Sequence, residues 1–115
     1  MSVSTNFVQL IGHLGAAPES TQFESGKQRV TFSMATSESY RDANGENVET
    51  TDWHRIVAWG PLAGYLEKNL RKGTKVLVQG KIRHRSYQDK EGVTKYVTEV
   101  VAKDVLKLTK EEVTA

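Results

Sequence analysis

Residues 28 to 36, QRVTFSMAT, carry the pattern that most constrains the fold: Val30, Phe32 and Met34 alternate with Arg29, Thr31, Ser33 and Ala35. Side chains of an extended backbone point to opposite faces in turn, so a period of two predicts a half-buried strand whose apolar face belongs in a core. The pattern recurs. Residues 6 to 14 form a β-rich run broken at Gly12. Residues 74 to 87 set Val76, Val78 and Ile82 against Lys81, Arg83, Arg85 and Tyr87, with Gly80 interrupting. A glycine inside a strand marks a bend or bulge. Residues 94 to 108 supply a last strand, with Tyr96, Thr98 and Val100 on one face and Val97, Glu99 and Val101 on the other. A short extended piece is expected over 19 to 24, and turns at Ser25-Gly26, Asn44-Gly45 and 89 to 92.

One stretch breaks the period. In 61 to 72, PLAGYLEKNLRK, Pro61 suits the first helical position, and Leu62, Leu66 and Leu70 fall at i, i+4 and i+8. Cations crowd the last turn and Gly73 is expected to cap it. Five main strands with one short helix between the third and fourth predict an all-β, five-stranded Greek-key barrel, the OB-fold, rather than a sandwich. Closure also explains the glycines, because strongly coiled strands need positions without a Cβ. At 115 residues the chain is one domain, expected over 1 to 108 with a short frayed segment at 109 to 115.

Several function classes drop out. The chain has no cysteine, which excludes disulfides and thiolate metal sites. His13, His54 and His84 fit no metal-ligand spacing, the glycines form no phosphate loop, and no nucleophile motif accompanies Asp52 and His54. We therefore expect no catalytic residue, no metal and no cofactor. A nuclease on such a barrel would need clustered carboxylates for a metal, which the sequence lacks. No run approaches the ~20 apolar residues of a membrane helix, and no basic segment precedes the apolar residues at the start, so a soluble cytoplasmic protein is expected.

The stretch 51 to 60, TDWHRIVAWG, places Trp53, Arg55, Val57 and Trp59 on one face and His54, Ile56 and Ala58 on the other. Alternation alone leaves the tryptophans open to two readings, as core or as a stacking surface. The rest of the chain favours the second. Ile56 and Ala58 already furnish a core face, and His54 beside them reads as a packing or subunit-contact residue. Residues 68 to 88 hold seven of the sixteen Lys and Arg and none of the fourteen acids, a local basic surface on a nearly neutral protein. Tyr40, Trp53, Trp59 and Tyr87 lie outside the clean apolar stripes, each with an arginine nearby. Rings that stack and cations that neutralise phosphates together suit unpaired bases, because a duplex hides its base faces. These residues do not distinguish DNA from RNA. Unpaired barrel edges make pairing between protomers plausible without setting a number.

SESYRD, then TDWHRIVAWG, LEKNLRKG, VLVQGKIRHRSYQD and YVTEVVAKDV, with LIGHLGAAPE in register near the start, resemble the bacterial single-stranded DNA-binding proteins. The resemblance implies an OB-fold protomer in a homo-oligomer, usually a tetramer, that holds single-stranded DNA in replication, recombination and repair, in the nucleoid-associated cytoplasm. By motif it implies stacking at Tyr40, Trp53, Trp59 and Tyr87, and phosphate contacts from Arg55, Arg71, Lys72, Arg83 and Arg85. The family commonly has tryptophan where Tyr40 and Tyr87 stand and phenylalanine at Trp59, exchanges that keep an aromatic face. It also commonly ends in a Gly/Pro/Gln-rich tail with an acidic tip that recruits other proteins, whereas this sequence closes on EEVTA. Replication and repair proteins are thus expected as partners only where a full-length protein carries that tail. The nearest alternative is a tail-less replication-restart accessory protein of the same fold, a single-strand-binding adaptor.

Overall fold

The computed structural model describes residues 5–108; the expected frayed segment 109–115 lies outside them. The chain runs β1 (Val8–Leu14), β2 (Glu19–Gln22), β3 (Gln28–Arg41), β4 (Asn47–Trp59), α1 (Pro61–Asn69), β5 (Lys75–Gln88) and β6 (Thr94–Lys107). The sheet order is β1-β5-β6-β4-β3-β2, and β1 also pairs with β3. That last pairing, His13 with Ala35 and Leu14 with Met34, closes five strands into a barrel. The four-residue β2 lies along the remaining edge of β3, so the expected helix between the third and fourth main strands is α1 between β4 and β5.

The alternation is realised directly. Val30, Phe32 and Met34 of β3, Ile56 and Ala58 of β4, Val76 and Val78 of β5 and Val100 and Ala102 of β6 fill the barrel, joined by Leu14. Ala63, Leu66 and Leu70 join the same core from α1 and the residue after it. Both predicted strand glycines sit where backbones nearly touch. A Cβ on Gly12 would lie 2.0 Å from the Ala35 carbonyl oxygen, and one on Gly80 would lie 2.1 Å from that of Val101. Gly80 also marks the register shift between β5 and β6, the expected bulge.

Two departures have local causes. The helix stops at Asn69, because Leu70 turns to an extended conformation and buries its side chain. Gly73 is not the helix cap; it occupies the positive-φ position of the next turn, where Thr74 N donates to Arg71 O. That turn is tied to β1, with Gly73 N donating to Leu14 O and Leu14 N to Thr74 O. Ile82 keeps the inward parity of Val78 but is 40% exposed, because β1 covers β5 only as far as Gly80, opposite Val8, and β6 has no β4 partner on the N-terminal side of Val100.

Past those limits the strands leave the barrel as two-stranded arms. Thr36–Arg41 pairs with Asn47–Asp52, and Arg83–Gln88 pairs with Thr94–Glu99. The two arm turns share one design. Asp42 Oδ1 accepts from the amides of Asn44 and Glu46, and Asp89 Oδ1 accepts from those of Glu91 and Val93. Gly45 and Gly92 supply the positive φ that each turn requires.

Candidate nucleic-acid interface

Strand register decides which predicted residues meet. On β4, Trp53, Arg55, Val57 and Trp59 point outward, opposite Ala35, Ser33, Thr31 and Arg29 of β3. Across β6, Glu99 aligns with Arg83 of β5, Val97 with Arg85 and Lys95 with Tyr87. Since Ile56 aligns with Val100 on the core side, these rows belong to one outward face. It spans β3, β4, β6 and β5 and carries Trp53, Arg55, Trp59, Arg83, Arg85 and Tyr87. The tryptophans are not core: Trp53 is 62% exposed and Trp59 37%. Val57, on the same face, is nonetheless buried.

Each ring is held differently. The six-membered ring of Trp53 lies over Gly15, so close that a Cβ on Gly15 would come within 2.4 Å of it. Beside Trp53 runs a groove of about 380 Å³, lined among others by Ala17, Glu19, Thr31, Ser33 and Arg55. Trp59 stacks on Phe23, with centroids 5.8 Å apart and an interplanar angle of 22°. The Arg29 guanidinium sits 5.2 Å from the Phe23 centroid and 5.9 Å from that of Trp59, and Arg29 Nε is buried without a hydrogen-bond partner. Tyr87 lies under the Arg85 guanidinium at 5.9 Å. Such cation–π contacts fix the charge and the ring together.

The centre of the face holds a residue that charge counting overlooked. Glu99 is 2% exposed and pairs with Arg55, Arg83 and Arg85. Burial pushes its carboxyl up, but the hydrogen bonds from Arg83, Arg85 and Arg55 outweigh that, so it lies below the usual carboxylate range. In the sequence Glu99 only shared a face of the last strand with Val97 and Val101, with nothing local to announce its partners. Phe23 and Arg29 were passed over too; an aromatic just before the Ser25-Gly26 turn, facing an arginine, was the available signal.

Not every predicted residue converges here. Tyr40 is exposed, but register sets it opposite Val48, in line with Met34 and His54, so it occupies the other face of the β3–β4 arm from Trp53. Arg71 and Lys72 are exposed on the turn after α1, and no described side-chain contact brings them to the face. His54 is hydrogen-bonded to Thr36 through Nε2 at 2.9 Å. Among the described residues no group of three His, Cys, Asp or Glu could hold a metal, and no helix is long and apolar enough to cross a membrane.

Barrel and face together define an OB-fold protein whose sheet presents rings and guanidiniums. Residues 5–108 match the single-strand binding protein family, and the chain belongs to that family. It is 46% identical over 106 residues to single-stranded DNA-binding protein 1 of Chlorobaculum tepidum, covering 91% of this chain and 65% of that one. It is 41% identical over 110 residues to the protein of the same name from Xylella fastidiosa, covering 95% of this chain and 81% of that one. Among solved structures, the Plasmodium falciparum SSB in complex with ssDNA superposes with a TM-score of 0.85 at 35% identity, covering 95% of this chain and 99% of that one.

Proposed function

We propose that the chain is a non-catalytic protein that binds and protects single-stranded DNA, largely without sequence preference, in replication, recombination and repair. The observation that carries this reading is the outward face that presents Trp53, Arg55 and Trp59 of β4 and, across β6, Arg83, Arg85 and Tyr87 of β5. Rings of this kind stack on any base, and guanidiniums neutralise any phosphate, so neither contact reads sequence. Family membership and the likeness to a single-strand complex support DNA as the ligand. Tyr40 offers a further ring on the far side of the β3–β4 arm. Arg71 and Lys72 would add phosphate contacts from the turn beyond α1.

Binding by an oligomer, a tetramer by resemblance, is part of the same reading. Away from the aromatic face, Ile11 of β1 aligns with Leu77 of β5, which aligns with Leu106 of β6, and Ile11 and Leu106 are exposed. An apolar row of this kind on a sheet invites a second copy. The chain spans 65% of the length of the Chlorobaculum relative. Replication and repair proteins belong to this reading only where a full-length protein carries an acidic tail, and a nucleoid-associated location in the cytoplasm belongs to it as well.

Titration with oligothymidylate, followed by tryptophan fluorescence, tests the reading. Binding should quench the indoles, and Trp53→Ala should weaken it by about 1–3 kcal/mol per stacked base, a magnitude taken from OB-fold single-strand binders themselves. Unchanged affinity and quenching in Trp53→Ala and Trp59→Ala would overturn the stacking assignment. Shortening of the oligonucleotide in the presence of magnesium would overturn the non-catalytic one.

A further inference from the structure

Glu99 has the wrong sign for a surface that meets phosphates, yet it sits buried at its centre on β6, with Arg55 reaching it from β4 and Arg83 and Arg85 from β5. The way the arginines use it is specific. Arg55 donates Nε to Oε2 at 3.2 Å, and Arg85 donates Nε to Oε1 at 3.0 Å. Arg83 donates both Nε and Nη2 to Oε1, at 3.2 and 2.5 Å. Neither Nη of Arg55 or Arg85 has a protein acceptor among the described residues, and these side chains remain 44% and 37% exposed.

We propose that Glu99 is a positioning residue for DNA binding: it grips Arg55 and Arg85 by their inner Nε edges and leaves their outer Nη edges aimed at phosphates. This deepens the function proposed above and rests on it. Three guanidiniums against one carboxylate leave the cluster with two net positive charges, so it still attracts a polyanion. The Glu99 side chain has no exposed surface while those of the three arginines are 37–44% exposed, so a phosphate meets cations first. Free arginines lose side-chain freedom when they bind. Arginines already fixed on Glu99 have lost it during folding, and their planar forks are ready for bidentate contact.

Glu99→Gln separates this device from plain electrostatics, because the two predict opposite signs. The substitution raises the net charge by one at nearly constant shape. Plain electrostatics therefore predicts tighter oligothymidylate binding with an unchanged or steeper salt slope. Positioning predicts binding weaker by about tenfold, the loss expected when two arginines must be ordered on binding, with a shallower salt slope than wild type. Affinity equal to or tighter than wild type, in a variant whose thermal midpoint shows it folded, overturns the proposal. Failure of the wild type to bind oligothymidylate would instead overturn the function proposed above. Should Glu99→Gln not fold, arginine Nε–H signals of the wild type by NMR decide: those of Arg55 and Arg85 should exchange more slowly than that of Arg41 and persist when oligothymidylate is added. Equal exchange in all three overturns the proposal.

Discussion

An arginine cluster and a lone arginine share the outward face and are held by opposite means. Around Glu99, Arg55, Arg83 and Arg85 are fixed by hydrogen-bonded charge, in a setting where the carboxylate is buried and the cations half exposed. At the β2 side, Arg29 is fixed by the Phe23 and Trp59 rings, and its Nε has no partner. The first arrangement depends on an ionised group and so answers to pH. The second depends on ring contact and does not draw on any carboxylate. One sheet face thus orders its cations through charge at its centre and through stacking at its edge.

The largest effect should come from stripping Glu99 of its partners. Arg55→Met, Arg83→Met and Arg85→Met together leave a buried carboxylate unpaired, and should cost about 3–5 kcal/mol of folding stability, read as a lowered urea midpoint at neutral pH. A loss within a few tenths of a kcal/mol would show that the charged cluster does not hold β4, β6 and β5 together.

A gentler way to separate the two arrangements is acid. The folded carboxyl of Glu99 lies below its ordinary value, so its contribution to stability is full above the usual carboxylate range and is lost as pH falls through the lowered folded value. Urea midpoints should decline over that window in the wild type and in Trp59→Ala alike, and decline less in Glu99→Gln. An equal slope in Glu99→Gln would assign the acid sensitivity to other carboxylates.

At the ring-held edge, Trp59→Ala should weaken oligothymidylate binding by about 1–3 kcal/mol, again by the measure of OB-fold single-strand binders. Its salt slope should change less than that of Arg85→Gln, which removes about 0.7 from the log–log slope if it removes one phosphate contact. Phe23→Leu keeps an apolar cover but loses the aromatic pair. It should cost only about 0.5–1.5 kcal/mol, read in stability and in affinity. A larger loss of affinity than of stability would mark Phe23 as a base contact in its own right.

Much of the fold was legible because its signals are local. The alternation of Val30, Phe32 and Met34 requires only that the chain be extended, and those residues fill the barrel. Asp42-Ala43-Asn44-Gly45 and Asp89-Lys90-Glu91-Gly92 close their own turns through side chains two to four residues away. Parity put Trp53, Arg55 and Trp59 on one face of β4, and the core face already furnished by Ile56 and Ala58 turned that face outward. The end of α1 was misplaced because Leu70 leaves the helix to enter a core whose shape no helical rule contains.

By itself the sequence determined the strands, the turns, the helix and the residues that would stand on one face of β4, since each of these depends on neighbours along the chain. Only the tertiary structure decided that Glu99 would collect arginines 44, 16 and 14 positions away, that Phe23 would stack on Trp59, and that Tyr40 would face away from Trp53. Those outcomes depend on which strands lie side by side and in what register. Strand order comes from closing the barrel, a property of the whole chain that no single stretch encodes.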